Sequence, residues 1–299
     1  MKQVLEQSIV VFGEVLFDRF EDGSEILGGA PFNVAWHLQA FNQSPVFISR
    51  VGVDKMSATI RQSMQDWGMA LQGLQTDPTL STGSVTVALQ EGEPRYTIVP
   101  NQAYDFINAG ELSEVANQGL LYHGSLALRH HVSRDALNSL KTCHQGLIFL
   151  DVNLRAPWWQ AGEVLNFLAD ANWVKLNQDE FDVLFPGEET LFVRMQACLQ
   201  AYELQGLIVT RGEQGACAIL ANGEVLTVAP SAQTQVVDCV GAGDAFAAVL
   251  MLGIIKQWPM MLTMQRAQEF ASALVGQRGA TVQNRRFYQR FIEDWSLKV

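Results

Sequence analysis

Short apolar segments rich in β-branched residues alternate along the chain with segments in which apolar residues recur at helical spacing. The apolar segments predict buried strands at 9–12, 46–49, 147–152, 173–176 and 207–210. The segments between them predict helices at 31–40, 57–67, 133–141, 162–170 and 192–200. Because fully apolar strands that alternate with helices are typical of a parallel sheet covered on both faces, the pattern predicts an α/β fold.

Two segments break this alternation. Residues 83–107 mix polar and apolar side chains without a helical period and contain Gly92, Pro94 and Pro100. Residues 14–30 are similar, with a turn expected at Asp22-Gly23. Both segments predict a small separate sheet that rises from the main sheet as a lid. Since no repeat, low-complexity tract or long linker is present, residues 1–299 are predicted to form one domain with these lid segments inserted in it.

Composition narrows the possible partners. The formal net charge is −11, which argues against nucleic-acid or anionic-membrane binding, since both need basic surface. No apolar run is long enough to span a membrane, and the first six residues lack the apolar stretch of a signal peptide. The cysteines are far apart, which predicts buried, reduced thiols in a cytoplasmic protein and neither a disulfide framework nor a zinc site: Cys143, Cys198, Cys217 and Cys239.

The strongest local signal is the run from Asp238 to Phe246, in which Gly241-Ala242-Gly243 precedes Asp244 and an apolar helix predicted at 244–255. Glycines at a helix N-terminus let backbone N–H groups converge on an anion, and the helix adds partial positive charge there. Such a site suits phosphate or the charge that develops during phosphoryl transfer. The alternative is a plain glycine turn with Asp244 as a helix cap.

A second glycine turn, Gly28-Gly29, is followed by Pro31 and Asn33. Pro31 suits the first turn of a helix, and the paired glycines allow a ligand to approach the backbone closely. Asn33 would project from that first turn, where it could hold a sugar hydroxyl. A strand-to-helix turn without a ligand is the competing interpretation.

Polar residues also follow two of the predicted strands. Asp151, Asn153 and Arg155 alternate at the end of one strand, where ligands gather in open α/β sheets, and Arg155 could clamp a phosphate. Asn177 and Glu180, three residues apart after the next strand, could order Mg²⁺-bound water around nucleotide phosphates. The competing interpretations are a surface ion pair at Arg155 and a helix-capping motif at Asn177.

Several familiar catalytic motifs are absent from the sequence. No lysine follows a glycine, which excludes a Walker A phosphate-binding loop. There is no H-E-x-x-H metalloprotease motif and no G-x-S-x-G nucleophile elbow. His130 and His131 are adjacent, a poor spacing for metal ligands on any element.

The order of the motifs resembles that of the ribokinase-like, or PfkB, carbohydrate kinase family. The resemblance extends from about residue 8 to residue 281, and its motifs follow the family's order. They are Gly13-Glu14 with Asp18, Gly28-Gly29 with Asn33, Asp151-Val152-Asn153-Leu154-Arg155, Asn177 with Glu180, Thr210-Arg211-Gly212-Glu213 with Gly215, and Gly241-Ala242-Gly243-Asp244.

The resemblance implies a three-layer α/β/α sandwich with a small β-sheet lid over the sugar. Asp244 matches the family's catalytic base, and the turn Gly241, Ala242 and Gly243 matches its anion hole. Arg155, which could clamp a phosphate, is also expected to be a catalytic residue. Sugar hydroxyls would be bound by Asp18, Gly28, Gly29 and Asn33. The nucleotide would lie along Asn177, Thr210, Gly212 and Gly243, with Asn177 and Glu180 organising Mg²⁺ indirectly. A monovalent cation such as K⁺ would be held near Asp238, Val240 and Gly279.

The implied activity is transfer of the γ-phosphoryl group of ATP to a hydroxyl of a neutral sugar. Fructokinase-like members share the Gly28–Asn33 turn and the Asp151–Arg155 run, so fructose is the expected substrate. The lid segment 96–101 lacks the arginine often found in fructokinases and ketodeoxygluconate kinases, which lowers the expectation of an acidic sugar. Ribose, ketodeoxygluconate or a nucleoside remain alternatives, as does a catalytically silent sugar-binding protein. The expected partners are sugar and ATP, with a homodimer through the lid.

Overall fold

The computed structural model describes residues 8–90, 93–112, 118–230 and 236–297. Two predictions concern residues outside this part of the chain. They are the absence of a signal peptide from the first six residues and the part of the second lid segment at residues 91–92. Within it, no helix combines the length and the apolar character needed to cross a membrane.

A nine-stranded sheet forms the centre of the protein, in the order β13-β12-β11-β10-β9-β8-β1-β4-β5. In this order, all strands between β11 and β5 are parallel to their neighbours. At the other edge, β12 pairs antiparallel with β11 and β13 pairs antiparallel with β12. The strands are β1 Ile9–Phe12, β4 Val46–Val51, β5 Leu74–Thr76, β8 Leu120–His123, β9 Leu147–Asp151, β10 Trp173–Asn177, β11 Gly206–Thr210, β12 Ala216–Leu220 and β13 Val225–Val228.

Helices cover both faces of this sheet and make the protein a three-layer α/β/α sandwich. They are α1 Ala30–Ala40, α2 Lys55–Trp67, α3 His131–Cys143, α4 Ala161–Ala169, α5 Gln178–Leu184, α6 Leu191–Ala201, α7 Ala242–Ile255, α8 Met260–Leu274 and α9 Arg285–Asp294. One apolar core joins a sheet face to α1, α2, α7, α8 and α9. On the opposite face, α4, α5 and α6 share a second core, and α3 packs in a third.

The predicted α/β fold with a central sheet is confirmed, but the sequence periodicity did not predict the two antiparallel strands at one edge of that sheet. Each of the predicted strands and helices falls on an observed element. The antiparallel pair β12 and β13 departs from the all-parallel expectation, because the link from β11 to β12 is too short for a crossover helix.

A smaller sheet of four strands, in the order β3-β2-β6-β7, lies apart from the large one. Its strands are β2 Leu16–Phe20, β3 Glu25–Gly28, β6 Gly83–Gln90 and β7 Glu93–Ile98. All four fall within the segments 14–30 and 83–107 that the polar and apolar mixture marked as a lid. Their antiparallel hairpins, β2-β3 and β6-β7, are joined through parallel pairing of β2 with β6.

The cysteines are all free thiols, but only two are buried. Cys198 and Cys217 lie in the core, whereas Cys143 and Cys239 are exposed. The prediction of no disulfide agrees with the structure. The prediction that all four thiols are buried was wrong, because Cys143 ends α3 at the surface and Cys239 lies in the loop before α7.

Candidate active site

A cavity of about 600 Å³ opens between the carboxyl ends of the central strands and the smaller sheet. Parallel strands bring residues that are distant in the sequence to this one edge. The predicted site residues that line the cavity are Asp18, Gly28, Gly29, Asn33, Arg155, Asn177, Glu180, Thr210, Gly212, Val240, Gly241, Gly243 and Asp244. Ala242, Asp238 and Gly279 are not among the lining residues.

Helix α7 begins two residues earlier than predicted, at Ala242, with Gly241 as its N-cap. Gly241 has a φ of 80°, and a Cβ atom there would overlap the side chain of Ala280, so the turn requires glycine. Asp244 therefore lies inside the first helical turn, and the interpretation of Asp244 as a helix cap was wrong. The N–H groups of this first turn have no carbonyl partner within the helix. That of Ala242 donates to Cys239 O at 3.4 Å, and those of Gly243 and Asp244 remain available to an anion.

The Asp244 carboxylate is half-buried in the wall of the cavity and is held by α1. The amide Nδ2 of Asn33 donates a hydrogen bond of 2.8 Å to Asp244 Oδ2. Burial raises the pKa of Asp244 to about 6, and the Asn33 hydrogen bond offsets part of that rise. Asn33 itself is buried, and its Oδ1 has no hydrogen-bond partner within the described residues. The pair thus presents a carboxyl group of raised pKa beside an amide oxygen that is free to accept from a ligand.

Two further acids lie toward the smaller sheet. Burial raises the pKa of Glu14 to about 7, and burial also raises the pKa of Asp18. The guanidinium of Arg155 lowers the pKa of both carboxyls and of Asp244. Arg155 itself is exposed at the rim of the cavity. This end of the cavity is consequently rich in carboxyl groups that can accept from hydroxyls.

Asn177 and Glu180 form a reciprocal capping box at the start of α5. Asn177 Oδ1 accepts from the Glu180 amide at 2.9 Å, and the two Glu180 oxygens accept from the amides of Asn177 and Leu154, each at 2.9 Å. The carboxylate is buried yet lines the cavity. Because its oxygens are already engaged by backbone donors, the arrangement suits contact with metal-bound water better than a direct bond to the metal.

The carboxylate of Asp238 braces the loop before α7. Asp238 Oδ1 accepts from the Val240 amide and Oδ2 from the Gly279 amide, each at 2.9 Å. This arrangement ties the glycine turn to the chain after α8. Carboxylate and backbone carbonyl oxygens are the donors that a hard cation prefers, and Asp238 brings a carboxylate to this loop. Among the described residues, no cluster of three or more His, Cys, Asp or Glu side chains is arranged to hold a metal ion.

The structure adds a buried ion pair that the sequence reasoning did not assign to the site. Lys175 Nζ lies 2.6 Å from Asp151 Oδ1, and both residues line the cavity. Tyr122 Oη donates to Asp151 Oδ2 at 3.2 Å. A signal for the pair was present, because Lys175 is a single charge within an apolar strand, and such a residue is almost never buried without a partner.

Residues 6–285 match the family described as pfkB family carbohydrate kinase. A fructokinase of Klebsiella pneumoniae is 31% identical over 267 residues, which cover 82% of this chain and 84% of that protein.

Solved structures share the fold. A double mutant of the Vibrio cholerae fructokinase, crystallised with fructose, ADP and a potassium ion, superposes with a TM-score of 0.81 at 24% identity, covering 95% of this chain and 98% of that one. Aminoimidazole riboside kinase from Salmonella enterica, complexed with its riboside and an ATP analogue, gives a TM-score of 0.80 at 23% identity, covering 92% and 95%.

We expect replacement of Asp244 by asparagine to stabilise the protein at high pH. The pKa of Asp244 is raised from its ordinary value of 3.8 to about 6, so ionisation in the folded state is unfavourable by roughly 3 kcal/mol. The penalty is absent below pH 3.8, grows as the pH rises, and is complete above about pH 6. Asp244→Asn keeps an acceptor for Asn33 and removes the charge.

The measurement is urea unfolding of the wild-type protein and the variant at pH 4 and pH 8. The variant should gain stability at pH 8 and little at pH 4. Asp135→Asn, at an exposed position on α3, controls for the loss of one formal charge. An equal effect of Asp244→Asn at the two pH values would contradict the assigned titration.

Proposed function

Because the chain belongs to the pfkB family of carbohydrate kinases, we propose that it transfers the γ-phosphoryl group of ATP to a hydroxyl of fructose. That it is a sugar kinase follows from the family, whereas the sugar and the roles of individual residues are proposals. The observation that carries them is the half-buried Asp244 carboxylate at the N-terminus of α7, held by Asn33.

In the proposed reaction, Asp244 accepts the proton of the sugar hydroxyl as the hydroxyl oxygen attacks the γ-phosphorus and ADP leaves. A base is most effective when its pKa lies near the working pH, and the raised pKa of about 6 suits Asp244 to that role. In the turn Gly241-Ala242-Gly243, the N–H groups at the start of α7, that of Gly243 above all, would stabilise the negative charge on the transferred group. Arg155, at the rim, would hold a phosphate oxygen.

We propose that the sugar binds at the end of the cavity near the smaller sheet, where the charges favour a neutral substrate. Glu14, Asp18 and Asp244 all line this part of the cavity. A carboxylate or phosphate on the sugar would meet these acids and lose its hydration, a cost that needs compensating cations. Of the lysines and arginines whose side chains the structure describes, Arg155 and Lys175 line the cavity, and Lys175 is already paired with Asp151. This balance supports fructose over ketodeoxygluconate.

A nucleoside substrate has weaker support. A base pocket in the lid would need aromatic side chains, but the lid residues Phe17, Phe20, Tyr104 and Phe106 do not line the cavity. Phe17 and Tyr104 are buried in the apolar cores. Tyr96, which is half exposed on β7, is the aromatic side chain of the lid that faces the cavity among those described. One ring can stack on a sugar face, whereas a base pocket needs more apolar surface.

The nucleotide is proposed to lie along Thr210 and Gly212, at the end of β11, with its γ-phosphate toward Gly243. Mg²⁺ would arrive with ATP, and its bound water would contact Asn177 and Glu180. The fructokinase from Vibrio cholerae holds a potassium ion, which supports the proposal of a cation near Asp238, Val240 and Gly279.

The single-domain organisation with an inserted lid stays a proposal, and so does a homodimer through the lid. Ile26 and Tyr96 are exposed apolar residues of the smaller sheet, but both line the cavity. They therefore support a lid that closes over the sugar and excludes water more directly than they support a subunit contact.

Asp244→Ala tests the base. We expect kcat to fall about 10²–10⁴-fold, the usual contribution of a general base, and the KM for the sugar to change less. The measurement is steady-state kinetics at saturating MgATP. Asp135→Ala on the exposed face of α3 is the matched control. Retention of more than about a tenth of the wild-type kcat would remove Asp244 from the chemistry.

Glu180→Gln tests the metal contact. Loss of the charge should raise the Mg²⁺ concentration needed for half-maximal activity, because Glu180 would help to hold the water bound to the Mg²⁺ of MgATP. Asp179→Asn, the exposed acid one residue earlier in the same helical turn, is the control and should leave that concentration unchanged. Melting temperatures report any loss of the capping box. A change confined to the sugar KM would show that the assignment is wrong.

Substrate competition tests the sugar. At saturating MgATP, fructose should have a kcat/KM at least about tenfold above those of ribose, adenosine and ketodeoxygluconate, a difference of about 1.4 kcal/mol in transition-state binding. If adenosine or ketodeoxygluconate were preferred, fructose would fall as the substrate while the kinase assignment would stand.

A further inference from the structure

Three polar side chains lie in a row across adjacent parallel strands beneath α7. Tyr122 is on β8, Asp151 ends β9, and Lys175 is on β10, directly paired with Asp151 in the strand register. Asp151 bridges the other two, because Oδ1 contacts Lys175 Nζ at 2.6 Å and Oδ2 accepts from Tyr122 at 3.2 Å. All three side chains are buried, and none has a role in the phosphoryl transfer described above.

Lys175 reaches the start of α7. Its Nζ lies 3.6 Å from the position that a Cβ on Gly243 would take, and Asp244 is the next residue along the helix. The ammonium is therefore close to both the anion hole and the base. An ammonium has three N–H donors on a flexible stem, and in a dry interior it pairs with whichever carboxylate it can reach.

The charged and titratable groups that face Asp244 come from several elements. Asp151 and Glu14 are acids, and Lys175 and Arg155 are cations. Tyr122 is a neutral phenol at the same place. Glu180, on α5, faces Lys175 as well. Of these charges, Asp151 raises the pKa of Asp244 most, and Lys175 lowers it.

We propose that Asp151 holds the Lys175 ammonium away from Asp244 and so preserves the basicity of Asp244. Asp151 and Lys175 are positioning residues in this arrangement, since they act through Asp244. The inference rests on the proposed function, in which Asp244 is the base, and it holds for any sugar that the enzyme accepts.

The physical reason is a competition between two carboxylates for one buried cation. An opposite charge within about 4–6 Å lowers the pKa of a carboxyl by about 1–3 units. A base weakened to that degree accepts a proton poorly from a sugar hydroxyl. Asp151 prevents this pairing through its position opposite Lys175, and Tyr122 fixes the carboxylate that does so. The ammonium meanwhile adds positive charge below the anion hole.

The experiment measures the acid limb of kcat/KM in the wild-type enzyme and four variants, using the sugar that the wild-type enzyme turns over best and saturating MgATP. The variants are Asp151→Asn, Asp151→Glu and the double variant Asp151→Asn/Lys175→Met. Tyr122→Phe is the control, because it removes a hydrogen bond to Asp151 without changing the charge. Since every protein carries the same nucleotide, differences between their midpoints belong to the protein.

Asp151→Asn removes a negative charge and releases Lys175, and both changes lower the pKa of Asp244. Its acid midpoint should fall by at least about one pH unit, and turnover at pH 8 should fall about threefold or more as the base weakens. The double variant also removes the ammonium, so its midpoint should return most of the way to the wild-type value. Asp151→Glu keeps the charge, and it and Tyr122→Phe should keep midpoints near the wild-type value.

An unchanged midpoint in Asp151→Asn would overturn the proposal, and so would a lowered midpoint that the double variant retains. A structural role alone would reduce activity at every pH without moving the midpoint. If Asp151→Asn does not fold, the double variant decides, because the proposal requires its midpoint to stay within about one pH unit of wild type.

Stability supplies a second readout that does not depend on turnover. The extra stability that Asp244→Asn confers at pH 8 should be smaller in the Asp151→Asn background than in the wild-type background, since Asp244 is already ion-paired there. An equal gain in both backgrounds would overturn the inference. Failure of the proposed function is distinguishable, because it would appear as an Asp244→Ala enzyme that keeps its activity.

Discussion

Helix α7 is apolar apart from one carboxylate, Asp244, which it holds half-buried in the cavity, and the surrounding polar groups determine the cost of ionising that carboxylate. Nine residues of the helix are buried, so the helix fits only between other helices and the sheet. A buried carboxylate prefers its neutral form, and the pKa of Asp244 is accordingly raised to about 6. The positive end of the helix and the Asn33 hydrogen bond offset that cost without removing it.

The turn that precedes the same helix passes so close to Ala280 that only glycine fits at position 241. Gly241 adopts a left-handed backbone and passes Ala280 where a side chain would not fit. Asp238 secures the loop from below by accepting from the Val240 and Gly279 amides. The N–H groups of the first turn are thereby presented to the cavity in a fixed orientation. A preorganised arrangement of this kind stabilises developing charge without any movement at the moment of reaction.

The edge of the sheet concentrates charge because parallel strands end together there. Asp151, Lys175 and Asn177 come from neighbouring strands, and the chain reversals after them bring Arg155 and Glu180 to the same cavity. Because these charged groups lie close together, the position of each one affects the pKa of the others. Lys175 is tolerated in a buried strand because Asp151 lies opposite it in the register, and both act on Asp244 from below.

The local pattern of the sequence was enough for the sheet, the helices and most of the cavity lining. Apolar strands such as 9–12 and 173–176 were predictable because burial on both faces demands continuous apolar runs. Asp244, Asn33 and Glu180 were found because glycine turns and residues after strands mark ligand sites. The strands β12 and β13 were missed because a hairpin at the sheet edge is set by pairing partners and not by periodicity.

Tertiary structure decided the features that depend on distance between remote segments. Asn33 and Asp244 are 211 residues apart, and only packing of α1 against α7 brings their side chains within 2.8 Å. The register of β9 and β10 likewise gives Lys175 its partner, Asp151. Burial raises the pKa of Glu14, and packing in the apolar cores keeps Phe17 and Tyr104 out of the cavity. A sequence records which groups can ionise or bond, but their neighbours and dielectric surroundings exist only in the folded chain.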